Sequence, residues 1–191
     1  QHTFVTDIVY DATGMHMMLH SPWYKGPWHL RLLGQFNILN ALSVFVALCL
    51  QQYPVSHVLK AMSTLKGAPG RMQCVQKPNA PLVVIDYAHT PDALAQALAA
   101  LRMHTQGKIW CVFGCGGDRD KGKRPLMAKA AEEHADKLVL TSDNPRGEDP
   151  QAIIEAILAG LSSQADKHVE VNRAMAIHFA LAHAHIADVI L

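Results

Sequence analysis

The sequence predicts an α/β protein built on a mostly parallel sheet with helices on both faces, preceded by a smaller unit of antiparallel strands and two helices. From residue 82 onward, short apolar runs alternate with segments of helical periodicity, which is typical of repeated strand–helix–strand units. Residues 1–33 instead alternate apolar and polar positions, which indicates antiparallel strands. Half of the 191 residues are hydrophobic, so the chain can bury the core that such a fold needs.

The first unit is predicted to consist of strands within residues 1–33 and two helices. The last of these strands is short and covers residues 30–33. Turns are predicted at Pro22, Gly26 and Pro27. A helix follows over residues 34–52, where apolar residues recur at helical spacing and Asn37 is positioned to cap the first turn. A second helix, over residues 54–65, begins with a favoured early proline.

A loop rich in glycine and proline, residues 66–71, separates this unit from the alternating pattern that follows. We therefore predict two parts, residues 1–66 and residues 67–191. In the second part, strands are predicted at 82–86, 108–113, 137–141, 168–171 and 188–191, and helices at 91–103, 124–134, 150–161 and 173–185. Both ends suggest a piece of a longer protein, because the chain begins inside a strand at 1–5 and ends on a buried one.

Composition excludes several classes of function. The formal net charge of +1 provides no general attraction to nucleic acid or to an anionic membrane. The longest apolar run, Ala41 to Leu50, is too short to cross a bilayer, which takes ~20 residues. None of the four cysteines forms a CxxC pair, so we expect a reducing, cytoplasmic compartment and no zinc site.

Polar sequences follow three of the predicted parallel strands. They are Asp86-Tyr87-Ala88-His89-Thr90-Pro91-Asp92, Gly114-Cys115-Gly116-Gly117-Asp118-Arg119-Asp120 and Ser142-Asp143-Asn144-Pro145-Arg146. Ligands of open parallel sheets bind beyond the carboxyl ends of the strands, so we expect the three loops to face one pocket. Asp86 is either a loop anchor or a carboxylate that accepts hydrogen bonds from ribose hydroxyls. His89 is equally compatible with a phosphate donor and an ordinary loop residue.

The loop from Gly114 to Arg124 combines glycines with the cations Arg119, Lys121, Lys123 and Arg124. It is either a solvated basic turn or one wall of a ligand site. Mixed charges and the lack of interleaved aromatic residues disfavour a nucleic-acid surface. No GxxxxGK[ST] sequence occurs in the chain, so it has no Walker A phosphate loop of its own.

The segment Asp143-Asn144-Pro145-Arg146 places an acid, an amide and a guanidinium on a loop stiffened by proline. Arg146 can bind a carboxylate with two hydrogen bonds and Asp143 can accept an ammonium, which points to an amino acid as the ligand. An amino acid with two charged ends would use Arg119 as well. The alternative is a turn that caps the next helix.

Five motifs in this order resemble the Mur ligases of bacterial cell-wall synthesis, and within them the type that adds 2,6-diaminopimelate. The motifs are Gly34-x-Phe36-Asn37-x-x-Asn40, Gly67-x-Pro69-Gly70-Arg71-Met72, Asp86 to Asp92, Gly114 to Arg124 and Asp143 to Arg146. The resemblance implies that residues 1–66 are the end of an α/β ATPase domain and that residues 67–191 are most of a Rossmann-like domain for the incoming amino acid. It places the family's Walker A loop, magnesium ligands and carbamylated lysine before Gln1, and a Gly-Lys-Gly-His-Glu segment after Leu191.

The resemblance also implies a reaction. Such a ligase uses ATP and Mg²⁺ to phosphorylate the D-glutamate γ-carboxylate of UDP-N-acetylmuramoyl-L-alanyl-D-glutamate (the UDP-MurNAc-dipeptide), and the amine of meso-diaminopimelate attacks the acyl phosphate. We expect a cytoplasmic monomer that acts on small molecules and not on nucleic acid or membrane. The 191-residue chain alone is expected to fold without catalysing, with no catalytic or metal-binding residue of its own. Alternatives are a lysine-adding or folylpolyglutamate synthetase-like ligase, or a non-catalytic nucleotide- or anion-binding module.

Residue by residue, the resemblance implies that Arg119 and the motif Asp143-Asn144-Pro145-Arg146 bind diaminopimelate. Arg146 is the physical reason to prefer diaminopimelate to lysine, because a second carboxylate needs a cation. The nucleotide-binding residues that it implies are Asn37, Arg71 and Asp86, to which the loop argument adds His89.

Overall fold

The structure is a computed structural model that describes residues 2–191. Its first part is a three-stranded antiparallel sheet formed by β1 (Phe4–Asp11), β2 (Gly14–His20) and β3 (Lys25–Leu30) in that order. The prediction of antiparallel strands is therefore confirmed. Gln1, which the sequence placed in the first strand, lies outside the described residues.

Two details predicted for this sheet are wrong. Gly26 and Pro27 lie within β3 and not in a turn, and Pro27 pairs with Met18. β3 is an edge strand, where a proline is tolerated because the position of its missing N–H can face solvent. The strand predicted at residues 30–33 ends at Leu30, which pairs with Met15. Because β2 begins only one residue earlier, at Gly14, it has no partner to offer to residues 32 and 33.

Two helices, α1 (Phe36–Leu50) and α2 (Val55–Met62), cover one face of this sheet. The core between them includes Met15, Leu19, Leu30, Phe45 and Met62, all fully or almost fully buried. The predicted capping role of Asn37 is wrong. Asn37 is already inside the first turn, where its side-chain amide donates a hydrogen bond to the Leu33 carbonyl at 2.7 Å.

The second part is a six-stranded sheet with the order β4-β5-β9-β6-β7-β8. Its strands are β4 (Gln73–Val75), β5 (Leu82–Ile85), β6 (Ile109–Phe113), β7 (Lys137–Leu140), β8 (Lys167–Val169) and β9 (Val189–Ile190). Its helices are α3 (Pro91–Arg102), α4 (Lys123–His134), α5 (Pro150–Leu158) and α6 (Arg173–His183). All strands except β4 run parallel, which confirms the predicted fold class. The sequence reasoning missed β4, whose three residues are too few to show a period.

Helices cover both faces of this sheet, as predicted. On one face, α3, α4 and α5 pack against Ile109, Cys111 and Phe113 of β6. On the other face, α6 packs through Ala176 and Ala180 against the neighbouring residue of the same strand, Trp110. This alternation follows from strand geometry, in which successive side chains point to opposite faces.

The last strand, β9, lies between β5 and β6 in the middle of the sheet. The buried carboxylate of Asp188, directly before it, accepts hydrogen bonds from the Lys108 backbone N–H at 2.8 Å, the His185 N–H at 2.9 Å and the Trp110 indole at 3.1 Å. These bonds tie the start of β9 to the start of β6. Although burial raises the pKa of Asp188, the hydrogen bonds outweigh it and the pKa lies below its usual value.

A buried histidine connects the two sheets. His104 follows α3 and is 4% exposed. Its Nε2 accepts the Gly34 backbone N–H at 3.0 Å, and its Nδ1 lies 2.8 Å from the Asp11 carbonyl. An acceptor at Nε2 and a donor at Nδ1 define a neutral ring, and burial lowers its pKa. Packing thus favours an uncharged His104 at the junction.

Candidate functional site

The loops that follow β5, β6 and β7 line one cavity of about 870 Å³ at the carboxyl end of the sheet. This confirms the prediction that the three polar segments face a common pocket. The first loop contributes Asp86 and His89, the second Arg119, and the third Asp143 and Arg146. Parallel strands bring these loops together because their carboxyl ends meet at one edge.

Two glycines allow the second and third loops to touch. A Cβ added at Gly114 would lie 2.2 Å from the Thr141 carbonyl oxygen, and one added at Gly117 would lie 1.7 Å from the Pro145 carbonyl oxygen. The Gly117 N–H donates to the Asn144 carbonyl at 3.2 Å. Any side chain at these positions would separate the two loops. These two glycines therefore permit close approach of one loop to the other.

The third loop has an unusual backbone. Asn144 has φ 46° and Arg146 has φ 51°, in the left-handed region that non-glycine residues seldom occupy. The Arg146 side chain returns to the second loop, where Nη1 donates to the Gly117 carbonyl. Strained backbone that surrounding contacts hold in place is concentrated at binding sites. Pro145 shapes this loop through its backbone, and its side chain is absent from the cavity lining in the part of the chain that the structure describes.

Sequence reasoning missed Glu148, the carboxylate that holds these two loops together. It lies two residues after Arg146 and accepts the Asp118 N–H at 2.7 Å and both terminal nitrogens of Arg124, at 2.7 and 3.1 Å. The bonds from Arg124 and Asp118 lower the pKa of Glu148 to about 2. Its only sequence signal is its place between Gly147 and the helix cap Asp149.

Arg124, one of the four cations noted in the second loop, is 3% exposed and lies in the first turn of α4, close to the predicted start of that helix. It lines the cavity, but both terminal nitrogens of its guanidinium are occupied by Glu148. By contrast, Arg119 and Arg146 have no carboxylate within 4.0 Å among residues 2–191. These two cations and the exposed carboxylate of Asp143 therefore remain available to a ligand, and so do Lys123 and Asp120, which also line the cavity without an ion pair among residues 2–191.

The first loop brings two of the four predicted nucleotide-binding residues to the cavity, Asp86 and His89. Asp86 accepts the Met72 N–H at 2.8 Å and the Ala88 N–H at 2.9 Å, so it anchors the loop as well as lining the cavity. The His89 ring lies 5.1 Å from the Tyr87 ring.

The other two predicted nucleotide-binding residues are absent from the cavity lining. Arg71 reaches the rim indirectly, with its guanidinium 5.2 Å from the centre of the Tyr87 ring. Asn37 lies in α1, next to the antiparallel sheet, where its amide is bonded to the Leu33 carbonyl. The structure therefore does not bring Asn37 to the site.

Three further observations concern the cavity thiol, metal binding and membrane spans. Burial raises the pKa of the cavity thiol Cys115 to about 11, so it is protonated and unreactive near neutral pH. Within residues 2–191, no group of three or more His, Cys, Asp and Glu side chains is arranged to hold a metal ion. No helix in the same range is long and apolar enough to span a membrane.

Comparison with known proteins gives consistent matches. The family described as "Mur ligase, glutamate ligase domain" matches residues 70–191. A UDP-N-acetylmuramoyl-L-alanyl-D-glutamate–2,6-diaminopimelate ligase of Coxiella burnetii is 48% identical over 180 residues, which are 94% of this chain and 37% of that protein. The protein of the same name from Chromobacterium violaceum is 49% identical over 180 residues, or 93% of this chain and 36% of that protein.

Solved structures agree. The structure of a UDP-N-acetylmuramoyl-L-alanyl-D-glutamate–2,6-diaminopimelate ligase superposes with a TM-score of 0.79 at 39% identity, covering 98% of this chain and 39% of that one. A folylpolyglutamate synthase of Thermotoga maritima superposes with a TM-score of 0.75 at 15% identity, covering 98% of this chain and 42% of that one, which shows a shared fold alone. The chain spans less than two fifths of the length of the curated relatives described above.

Proposed function

The chain belongs to the Mur ligase family, and on that premise we propose that the full-length protein is an ATP-dependent ligase of peptidoglycan synthesis. It joins an amine of meso-diaminopimelate to the D-glutamate γ-carboxylate of UDP-N-acetylmuramoyl-L-alanyl-D-glutamate. The carboxylate is activated as an acyl phosphate, the amine attacks its carbonyl carbon, and phosphate leaves. The names of the most similar relatives support this choice of substrates.

One observation carries the proposal. Arg119, Asp143 and Arg146 lie on two loops that are bonded to each other, line one cavity, and are not neutralised by an ion pair within residues 2–191. Two guanidiniums and one carboxylate complement a ligand with two carboxylates and an ammonium. In this proposal Arg119 and Arg146 each bind a carboxylate of diaminopimelate, and Asp143 accepts an ammonium. Asn144 and Pro145 hold the loop in the shape that presents them.

The nucleotide is proposed to approach from the rim formed by the first loop. Asp86, His89 and Arg71 are near enough to Tyr87 to supply an acceptor and donors for a ribose or phosphate. Asn37 lies away from this rim, in α1, and would contact the nucleotide only where the rest of the full-length protein extends the site to it. The residues described do not fit a magnesium site by themselves, so we assign no step of the reaction to a metal held by this chain.

The domain division at residue 66 is also proposed. Residues 2–66 and 67–191 form separate sheets with largely separate cores, and the family match begins at residue 70. The first part would be the end of the ATPase domain and the second the amino-acid domain. We further propose a cytoplasmic monomer whose 191-residue part, without a Walker A sequence, is inactive alone.

The test is substrate discrimination by the full-length enzyme with Arg146→Ala. A lost hydrogen bond to a charged group costs about 1.5–3 kcal/mol, which is roughly a 10- to 150-fold loss in kcat/KM for meso-diaminopimelate. Arg146 also bonds to Gly117, so loop damage alone would lower the rates with meso-diaminopimelate and with L-lysine equally. The proposal requires the ratio of the two kcat/KM values to fall. An unchanged ratio, or ATP-dependent ligation that ignores diaminopimelate, would contradict it.

A further inference from the structure

We propose that Glu148, acting with Arg124, is a positioning residue that sets the distance between the Arg119 loop and the Asp143–Arg146 loop. The inference deepens the proposed function and rests on it, since it concerns how the same amino-acid site is held in shape. Glu148 is absent from the cavity lining, so it acts through other residues and not by touching a ligand.

The contacts define a clamp between two chain segments thirty residues apart. On one side, Oε1 of Glu148 accepts the backbone N–H of Asp118, the residue directly before Arg119. On the other side, Glu148 follows Arg146 by two residues, and its own N–H donates to the Pro145 carbonyl at 3.0 Å. Glu148 thus fixes the backbone next to both of the cations that we assign to the ligand. Its carboxylate holds Asp118, directly before Arg119, and its backbone N–H holds Pro145, directly before Arg146.

Arg124 anchors the Glu148 carboxylate to a helix. It sits in the first turn of α4, a helix whose Met127, Ala128 and Ala131 are buried in the main core. Both terminal nitrogens of its guanidinium bond to the two oxygens of Glu148, and such paired bonds restrain direction as well as distance. Because Arg124 cannot move without its helix, Glu148 transmits the position of the helix to the two loops.

The backbone at the clamp supports a positioning role. Asp118, Asn144 and Arg146 all have φ between 46° and 51°, a region that is unfavourable for side-chain-bearing residues. The Asp118 carboxylate also accepts the Gly147 N–H at 3.2 Å, which adds a second link beside the first. Strained residues persist only where the surroundings hold them, and Glu148 is one of the groups that link the two strained segments, beside the Asp118 carboxylate and the Arg146 guanidinium.

Glu148→Gln in the full-length enzyme tests the proposal. The amide keeps the size of the side chain but turns an N–H₂ group toward donors and removes the charge that Arg124 binds. We expect KM for meso-diaminopimelate to rise about tenfold to a hundredfold, the effect of misplacing a binding group by about 1 Å. KM for ATP and for the UDP-linked dipeptide should stay within about twofold, since a small shift of these loops leaves their own contacts in place.

Glu132→Gln is the matched control. Glu132 lies on α4, as Arg124 does, and like Glu148 it accepts a backbone N–H from thirty residues away, that of Ser162 at 2.9 Å. It is likewise absent from the cavity lining, but its partner lies outside the three loops. A merely structural role for Glu148 would make the two variants alike in both thermal stability and KM. Equal KM values for diaminopimelate in the two variants would overturn the proposal.

A second variant covers the case in which Glu148→Gln does not fold. Glu148→Asp keeps the charge and shortens its reach by one methylene, so KM for diaminopimelate should rise by a smaller factor. An unchanged KM would overturn the proposal. The proposed function fails in a different experiment, if the Arg146→Ala enzyme loses ligation equally with L-lysine and with diaminopimelate. Failure of the positioning role and failure of the proposed function are therefore distinguishable.

Discussion

Gly117→Ala should drive apart the two loops that form the candidate amino-acid site. The added Cβ would lie 1.7 Å from the Pro145 carbonyl oxygen, 2.5 Å from its carbonyl carbon and 3.2 Å from its Cα. All three are backbone atoms, so no side-chain rotation relieves the overlap. Cβ contacts in real structures lie beyond 3.0 Å, and the loops must therefore separate by more than about 1 Å.

We expect this separation to reduce both stability and ligand binding. Forcing extra atoms into a packed contact costs about 1–3 kcal/mol. For a chain of this size that is a fall in Tm of roughly 3–10 °C, which circular dichroism would measure. In the full-length enzyme, KM for diaminopimelate should rise about as much as in Glu148→Gln, because both changes alter the same distance.

Gly122→Ala is the control for this prediction. A Cβ at Gly122 meets only the end of the Asp120 side chain, at 3.2 Å, and Gly122 has an ordinary helical φ of −64°. It should change Tm by less than about 1 °C. A Gly117→Ala protein as stable as the control would show that the loops are not packed as described.

Two further predictions concern buried groups. Burial lowers the pKa of His104 below the 6.5 of the unfolded chain, so the unfolded state takes up a proton first as the pH falls, and stability should decline below about pH 6.5. The Tm of His104→Gln should depend less on pH than the Tm of the wild type. Equal slopes of Tm against pH in the two proteins would refute this prediction. Asp188→Asn turns an amide group toward the N–H donors of Lys108, His185 or Trp110 and should cost about 1–3 kcal/mol in denaturant unfolding. A variant of wild-type stability would show that these bonds do not hold β9 in place.

Most of the fold was predictable from local patterns in the sequence. Every helix and every strand of the parallel sheet was expected close to where it lies, because an amphipathic helix displays a period in the sequence and a buried parallel strand displays a continuous apolar run. The errors fall where partners decide the structure. Leu30 ends β3 because β2 begins at Gly14, and β4 exists because β5 offers it a free edge.

The candidate site was also predictable in part. The positions of Arg119, Asp143 and Arg146 at strand ends were predictable, since the carboxyl ends of parallel strands share one edge. Their alignment was not, because it depends on Glu148 and its partner Arg124, whose pairing joins residues far apart in sequence. The nucleotide-binding role of Asn37 stays a prediction, since the described residues do not bring Asn37 to the cavity.

The sequence by itself determined most of the elements, their order and the three polar loops, because each of these depends on residues close together in the chain. Only the tertiary structure decided that β9, the last strand, lies at the centre of the sheet, fixed by Asp188 against Lys108 and Trp110. Likewise, only the tertiary structure decided that Gly117 and Glu148 bring two of the loops into contact. The physical reason is the same in both cases: hydrogen bonds, ion pairs and close packing between distant segments have no periodic signature in the sequence.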